Sequence, residues 1–316
     1  MKIFTASLLL LLLAACGNSD RTFITLGTGS QTGVYYPVGG VMKQVIEEAT
    51  DGEIRVSVAT SGGSVQNIND VLSGAIAFGI AQADRQYQAF HGLSTWEDEP
   101  RENLRFVFSL HPEVVTLIAS EASGIRTLED LRGQRVNIGS PGSGQRGNAL
   151  DIFRAAGIDP DQDIRAESLT VAECAGMLQD GRIDAYFYTV GHPNGSITEA
   201  TTGRQRVRFI PITGMDALIE ASPFYTPAEV PVHLYPRALQ DGPVPSIGML
   251  TTVVTRADTD ETLVYRVVSA ILNDLDTLRQ QHTALQGLTL EGMIQGQHAP
   301  FHPGALRAFR EAGLDL

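Results

Sequence analysis

The sequence predicts an α/β protein of two domains, and three observations carry that prediction. First, a strand-like apolar run, a turn rich in Gly, Ser and Thr, and a helically spaced segment follow one another three times. Second, the small-and-apolar run Gly74-Ala75-Ile76-Ala77 is echoed by Gly181-Arg182-Ile183-Asp184-Ala185, so the same grammar occurs once per half. Third, 316 residues suffice for two cores, and 43% hydrophobic with 19% charged residues is the composition of a globular chain.

Taken from the N-terminus, Met1-Lys2 and the apolar residues 3–13, with six consecutive leucines, read as a secretory leader too short to span a bilayer. Leu13-Ala14-Ala15-Cys16 looks like a bacterial lipobox. It predicts a signal peptide over 1–15, lipidation of Cys16 and a tether over 16–21, and therefore a membrane-surface anchor outside the cytoplasm. A plain signal peptide with an incidental cysteine is the alternative. With Cys16 lipidated, Cys174 is the one thiol left and no intrachain disulfide forms. Cys174 sits in the helical pattern of 171–178 and reads as a small buried hydrophobe.

Phe23-Ile24-Thr25-Leu26 is the first strand, and the turn through Thr28, Gly29, Thr32 and Gly33 opens at Val34-Tyr35-Tyr36 into a helix over 38–49. A strand feeding a glycine-rich turn at a helix N-terminus offers unpaired N–H groups and the positive end of a dipole, which suits a phosphate or carboxylate. An ordinary βα turn with core tyrosines is the plainer reading. Residues 55–60 repeat the pattern through Ser61-Gly62-Gly63-Ser64 into a helix carrying Asn67. Residues 135–139 repeat it again through Ser140-Pro141-Gly142-Ser143-Gly144 into a helix over 148–156. All three turns would lie at carboxyl ends of strands, where open α/β sheets bind ligands. Gly79-Ile80-Ala81-Gln82 reads as a buried strand, with Gln82 a ligand candidate and Asp84 a helix cap.

Residues 91–105 read as a surface excursion, and 104–110 and 114–120 as two apolar stretches broken at His111-Pro112, a crossover between domains. A short helix is expected over 128–133, strands over 182–188 and 207–212, irregular structure over the proline-rich 223–245, and a return strand over 247–255. Leu263, Val264, Val267, Val268, Ile271, Leu272, Leu275 and Leu278 form the core-facing stripe of one closing helix.

A formal net charge of −13 with no basic cluster argues against a nucleic-acid partner. Catalytic patterns are missing. Gly139 to Gly144 has P-loop spacing, but Gln145 and Arg146 replace the Lys and Ser/Thr that loop needs. The run 142–147 matches the dinucleotide pattern literally, yet it sits mid-chain and the other turns do not match. His298 and His302 bracket Pro300 and do not share a helix face, so neither a metal nor a cofactor is expected. Binding, rather than catalysis, is the expectation.

Gly27-Thr28-Gly29, Gly33-Val34-Tyr35-Tyr36-Pro37 and Gly62-Gly63-Ser64-Val65-Gln66-Asn67 resemble the TAXI family of TRAP-transporter solute receptors. So do Gly79-Ile80-Ala81-Gln82-Ala83-Asp84, 138–144, Asp184-Ala185-Tyr186-Phe187-Tyr188 and Gly191-His192-Pro193, in order over nearly the whole mature chain. The resemblance implies a type II periplasmic-binding-protein fold, two α/β lobes joined by a two-segment hinge. It also implies a monomeric extracytoplasmic receptor that hands a glutamate-, glutamine- or 2-oxoglutarate-like ligand to a membrane permease. The lobes would be 22–110 plus 253–316, and 111–252. The ligand-binding set expected from the turns and this resemblance together is Thr28, Gly29, Thr32, Gly33, Val34, Tyr35, Tyr36, Ser61, Ser64, Asn67, Gln82, Ser140, Ser143, Gly144, Gln145, Arg146 and Tyr188. The chain departs from the family at Gln145-Arg146, where a small hydroxyl residue commonly follows Ser-Gly. Arg146 either pairs with a ligand carboxylate or faces solvent. The rival classes are a sensory binding protein for a membrane kinase and a lipid-anchored enzyme using the same cleft.

Overall fold

The computed structural model describes residues 21–316; the expected leader and Cys16 lie outside the described residues. Its elements in chain order are β1 (Thr22–Gly27), α1 (Tyr35–Ala49), β2 (Ile54–Ala59), α2 (Ser64–Ser73), β3 (Phe78–Gln82), α3 (Ala83–His91) and β4 (Leu104–Ser120). There follow β5 (Arg135–Asn137), α4 (Gly144–Ala156), β6 (Arg165–Glu167), α5 (Val171–Gln179), β7 (Ala185–Val190), α6 (Gly195–Thr202), β8 (Val207–Ile210), α7 (Asp216–Glu220) and β9 (Thr226–Val230). The chain closes with β10 (Val244–Arg256), α8 (Glu261–Asn273), α9 (Leu275–Gln281) and α10 (Pro303–Glu311).

The main path of the sheet runs β2-β1-β3-β10-β4-β7-β5-β6, with β8 paired to β4 and β9 to β10. It is a pseudo-symmetric arrangement. β2-β1-β3 are parallel and abut antiparallel β10; β6-β5-β7 are parallel and abut antiparallel β4. Each half is thus a βαβαβ unit with its first strand in the middle, and its two intervening helices cover the sheet as right-handed crossovers require. The long strands β4 and β10 pair with each other and join the halves.

β4 is one continuous strand, where the sequence suggests two stretches broken at His111-Pro112. The break is absorbed by the register: Leu250 faces Pro112 and Thr252 faces Ser109, so one extra residue of β4 bulges there. A proline lacks the N–H a regular ladder position requires, and a bulge is where a sheet tolerates it. The expected closing helix is two helices. The chain breaks at Asp274, whose carboxylate accepts from the Thr277 N–H at 3.3 Å and starts α9 afresh. Within the proline-rich stretch, residues 226–230 form the edge strand β9 against β10.

The core follows the apolar spacing. Val38, Met42, Val45 and Ile46 of α1 pack with Ile24 and Leu26 of β1 and with Val264, Val267 and Ile271 of α8. A second cluster under the other half joins Val136 of β5, Ile152 and Phe153 of α4, and Phe187 of β7. Each such side chain removed from water contributes roughly 1.5–3 kcal/mol before conformational entropy is counted. Among the described residues no helix is long and apolar enough to cross a membrane.

Candidate functional site

The carboxyl ends of the parallel strands in both halves face one another, and between them lies a cavity of about 110 Å³. The βα turns build its walls. From the first half come Gly29, Gly33, Val34 and Tyr35 at the start of α1, Ser61 and Ser64 at the start of α2, and Gln82 at the end of β3. From the second half come Ser140, Ser143, Gly144 and Gln145 at the start of α4, Thr170 and Val171 at the start of α5, and Tyr188 on β7. Four helix N-termini therefore bound one small space. Among the described residues no Lys, Arg or His lines it.

Five residues of the expected binding set stand outside the lining. Thr28 is fully buried and donates its hydroxyl to the Ala59 carbonyl at 2.7 Å, tying β1 to β2. Asn67 donates to the carbonyls of Thr28 (2.6 Å) and Ile80 (2.8 Å), so it braces the turn from behind. Thr32 is exposed and presents its carbonyl to the Asn194 amide at 3.1 Å. Tyr36, next to Tyr35 on α1, is half-buried and does not line the cavity. Arg146 turns away from the cavity, donating to Ser168 Oγ at 2.9 Å and to the Gly139 carbonyl at 3.2 Å.

The halves touch at the rim. The Gln66 N–H donates to the Gly142 carbonyl at 3.1 Å, and the Asn194 contact to Thr32 joins the halves across α6. Two glycines make this approach possible. Gly63 has φ +114°, a conformation L side chains rarely adopt, and a Cβ there would lie 3.5 Å from Ser143 Cα. At Gly144 a Cβ would fall on the Gln82 side chain and within 2.8 Å of Ser64 Oγ.

Behind the cavity a buried polar network crosses the same boundary. Arg85 on α3, 1% exposed, pairs with Asp84 (2.8 Å) and with Asp151 on α4 (3.1 Å). Burial opposes its charge, but the two carboxylates outweigh that and hold the guanidinium protonated. Tyr225 donates to Asp151 at 2.9 Å, and Asn148 bonds Asp84, Tyr225 and Gln82. Asp84 lies inside the first turn of α3 and is fully buried; it serves this network, whereas Gln82 occupies the N-cap position.

The lining residue that matters most was not in the expected set. Glu113 of β4 is 2% exposed and faces the cavity. Tyr35 Oη donates to its Oε2 at 2.8 Å. Burial pushes the Glu113 carboxyl up to about 8, against a partial lowering by the hydrogen bond from Tyr35. A lone glutamate inside the apolar run 112–119 was the signal that could have found it. Cys174 is fully buried between Asn137 and the Thr170 carbonyl, and burial pushes its thiol up to about 12, so it is an inert core residue.

Two parallel α/β units, antiparallel linking strands and a cavity at their facing strand ends define the type II periplasmic-binding-protein fold. The chain belongs to the NMT1-like family, which matches residues 26–313. Solved structures of similar fold include MatC from Rhodopseudomonas palustris with bound malate, 16% identical over 92% of this chain and 96% of that one, TM-score 0.57. A putative L-cystine ABC transporter protein from Listeria monocytogenes is 17% identical over 87% and 99%, TM-score 0.52. An ancestral arginine-binding protein bound to arginine is 15% identical over 85% and 100%, TM-score 0.51. The protein has the fold of extracytoplasmic solute-binding proteins.

Proposed function

We propose that this protein is the substrate-binding subunit of a TAXI-type TRAP transporter. It captures a small carboxylate such as glutamate, glutamine or 2-oxoglutarate and delivers it to a membrane permease. One observation carries the reading: four helix N-termini and a set of hydroxyls surround a small cavity that, among the described residues, no Lys or Arg lines. In that setting a carboxylate is held by backbone N–H groups and dipoles rather than by a formal cation. The ligand docks on the turns of α1 and α2, in the lobe made of 22–110 and 253–316. The lobe made of 111–252 then closes over it through Ser140, Ser143 and Gly144, with β4 and β10 as the hinge. Closure excludes water and strengthens each hydrogen bond. The protein acts as a monomer outside the cytoplasm, tethered to the membrane through lipidated Cys16, and catalyses no reaction.

A thermal-shift screen of the purified protein against amino acids, 2-oxoacids, dicarboxylates and nucleotides tests this. A ligand at a hundredfold excess over its Kd stabilises the native state by about 2.7 kcal/mol. A midpoint rise with a small carboxylate is expected. A rise with nucleotides alone would contradict the proposal and favour the dinucleotide reading of residues 142–147.

A further inference from the structure

We propose that the captured molecule is an α-amino acid, and that Glu113 selects it by accepting hydrogen bonds from its protonated amine. This deepens the carboxylate-binding reading above and rests on it. The cavity is chemically two-sided. Its helix N-termini offer donors, whereas Glu113 and Gln82 offer acceptors.

The orientation of Gln82 is forced by a chain of hydrogen bonds. Asn148 Nδ2 donates to the Asp84 carboxylate, which leaves Asn148 Oδ1 as an acceptor. Gln82 Nε2 must therefore donate to that oxygen, at 3.0 Å. Gln82 Oε1 is left buried without a partner. A buried orphan acceptor is costly unless something donates to it.

Glu113 lines the same cavity from the other side of β10. Thr251 of β10 pairs with Gln82 on one side, and Met249, two residues earlier, pairs with Glu113 on the other. Residues two apart on a strand share a face, so the two acceptors lie on the same side of the sheet. Among the described residues Glu113 has no ion-pair partner, and its one hydrogen-bond donor in the structure is the Tyr35 hydroxyl. A dicarboxylate without an amine has no donor for Gln82 Oε1 and no positive charge with which to ionise Glu113. An α-ammonium group answers both, while the α-carboxylate reaches the helix N-termini.

The groups packed around Glu113 supply no competing cation. They are Tyr35 on α1, Tyr188 on β7, Thr251 on β10, Asp84 on α3 and His111 on its own strand. Burial pushes His111 down to about 4, so it is neutral at pH 7, and Asp84 is already paired with Arg85. Glu113, held up at about 8, is mostly protonated before a ligand arrives. An ammonium group would ionise it, and the proton leaves to solvent on binding.

Isothermal titration of L-glutamate, L-glutamine and 2-oxoglutarate, at pH 7 in two buffers of different ionisation enthalpy, reads affinity and proton release together. An amino acid is expected to bind at least tenfold tighter than 2-oxoglutarate and to release close to one proton. Glu113→Gln, nearly isosteric, is expected to weaken the amino acid about 10- to 100-fold and to abolish the proton release. Its thermal unfolding shows whether it folds, and proton release by the unaltered protein tests the assignment without any variant. Equal or tighter binding of 2-oxoglutarate, or amino-acid binding without proton release, would overturn the inference and leave the carboxylate reading standing. Binding of none of the three would remove both.

Discussion

The two βαβαβ units share a topology but end their helices differently. In the second unit side chains cap part of each helix N-terminus at the cavity. Ser143 Oγ accepts from the Arg146 N–H, and the Glu173 carboxylate accepts from both the N–H and the hydroxyl of Thr170 at the start of α5. In the first unit, α1 begins at Val34 and α2 at Gly63, and neither has a side-chain cap. An uncapped N-terminus forgoes roughly 0.5–2 kcal/mol of helix stability. Where both uncapped ends border one cavity, the lost caps leave N–H groups free for a ligand. The first unit is built to bind and the second to close.

The largest expected effect probes the seam that joins the units. Arg85→Met leaves Asp84 buried without a cation and Asp151 with only the exposed Arg154, which should cost about 3–5 kcal/mol in urea unfolding. A loss below about 1 kcal/mol would mean the network does not hold the units together.

Next comes the pH dependence of Glu113. Its carboxyl in the folded protein sits above the ordinary carboxylate value, so the native state binds more protons than the unfolded state between the two. The stability from this group is complete below the ordinary value and is lost as pH rises through about 8. Glu113→Gln removes that loss. Relative to the unaltered protein, the variant should gain stability between pH 5 and pH 9; a constant difference across that range would contradict the burial account.

The smallest effect sharpens the capping contrast itself. Glu173→Ala removes the carboxylate from the α5 N-terminus and should lower stability by about 1 kcal/mol. Because Glu173 does not line the cavity, ligand affinity should stay within about twofold. A tenfold loss of affinity would break the division of labour between the units.

Legibility in the sequence followed the strength of local patterns. Apolar strands before Gly/Ser/Thr turns were readable, and they located the turns ahead of α1, α2 and α4, although α1 and α4 begin at Tyr35 and Gly144 rather than at 38 and 148. The fourth turn escaped because β6, as short as β5, has Arg165 and Ala166 exposed and no apolar alternation to mark it. Thr170 and Val171 therefore joined the cavity without a sequence signal. Thr28, Asn67 and Arg146 have the right chemistry for ligands, but backbone carbonyls and Ser168 consume their donors, which no spacing reveals. Glu113 depends on the pairing of β4 with β10, a contact between residues more than a hundred positions apart.

The most direct test of the central claim, that a small carboxylate is held between the two units, is calorimetric titration of the protein and of Gly144→Val. The added side chain would collide with Gln82 and Ser64 at the point where the units meet. Overpacking of about 1–3 kcal/mol corresponds to a roughly 10- to 100-fold loss of affinity. The account predicts one carboxylate bound per chain and that loss in the variant. Equal affinity in both proteins, or no carboxylate bound by the unaltered one, would contradict it.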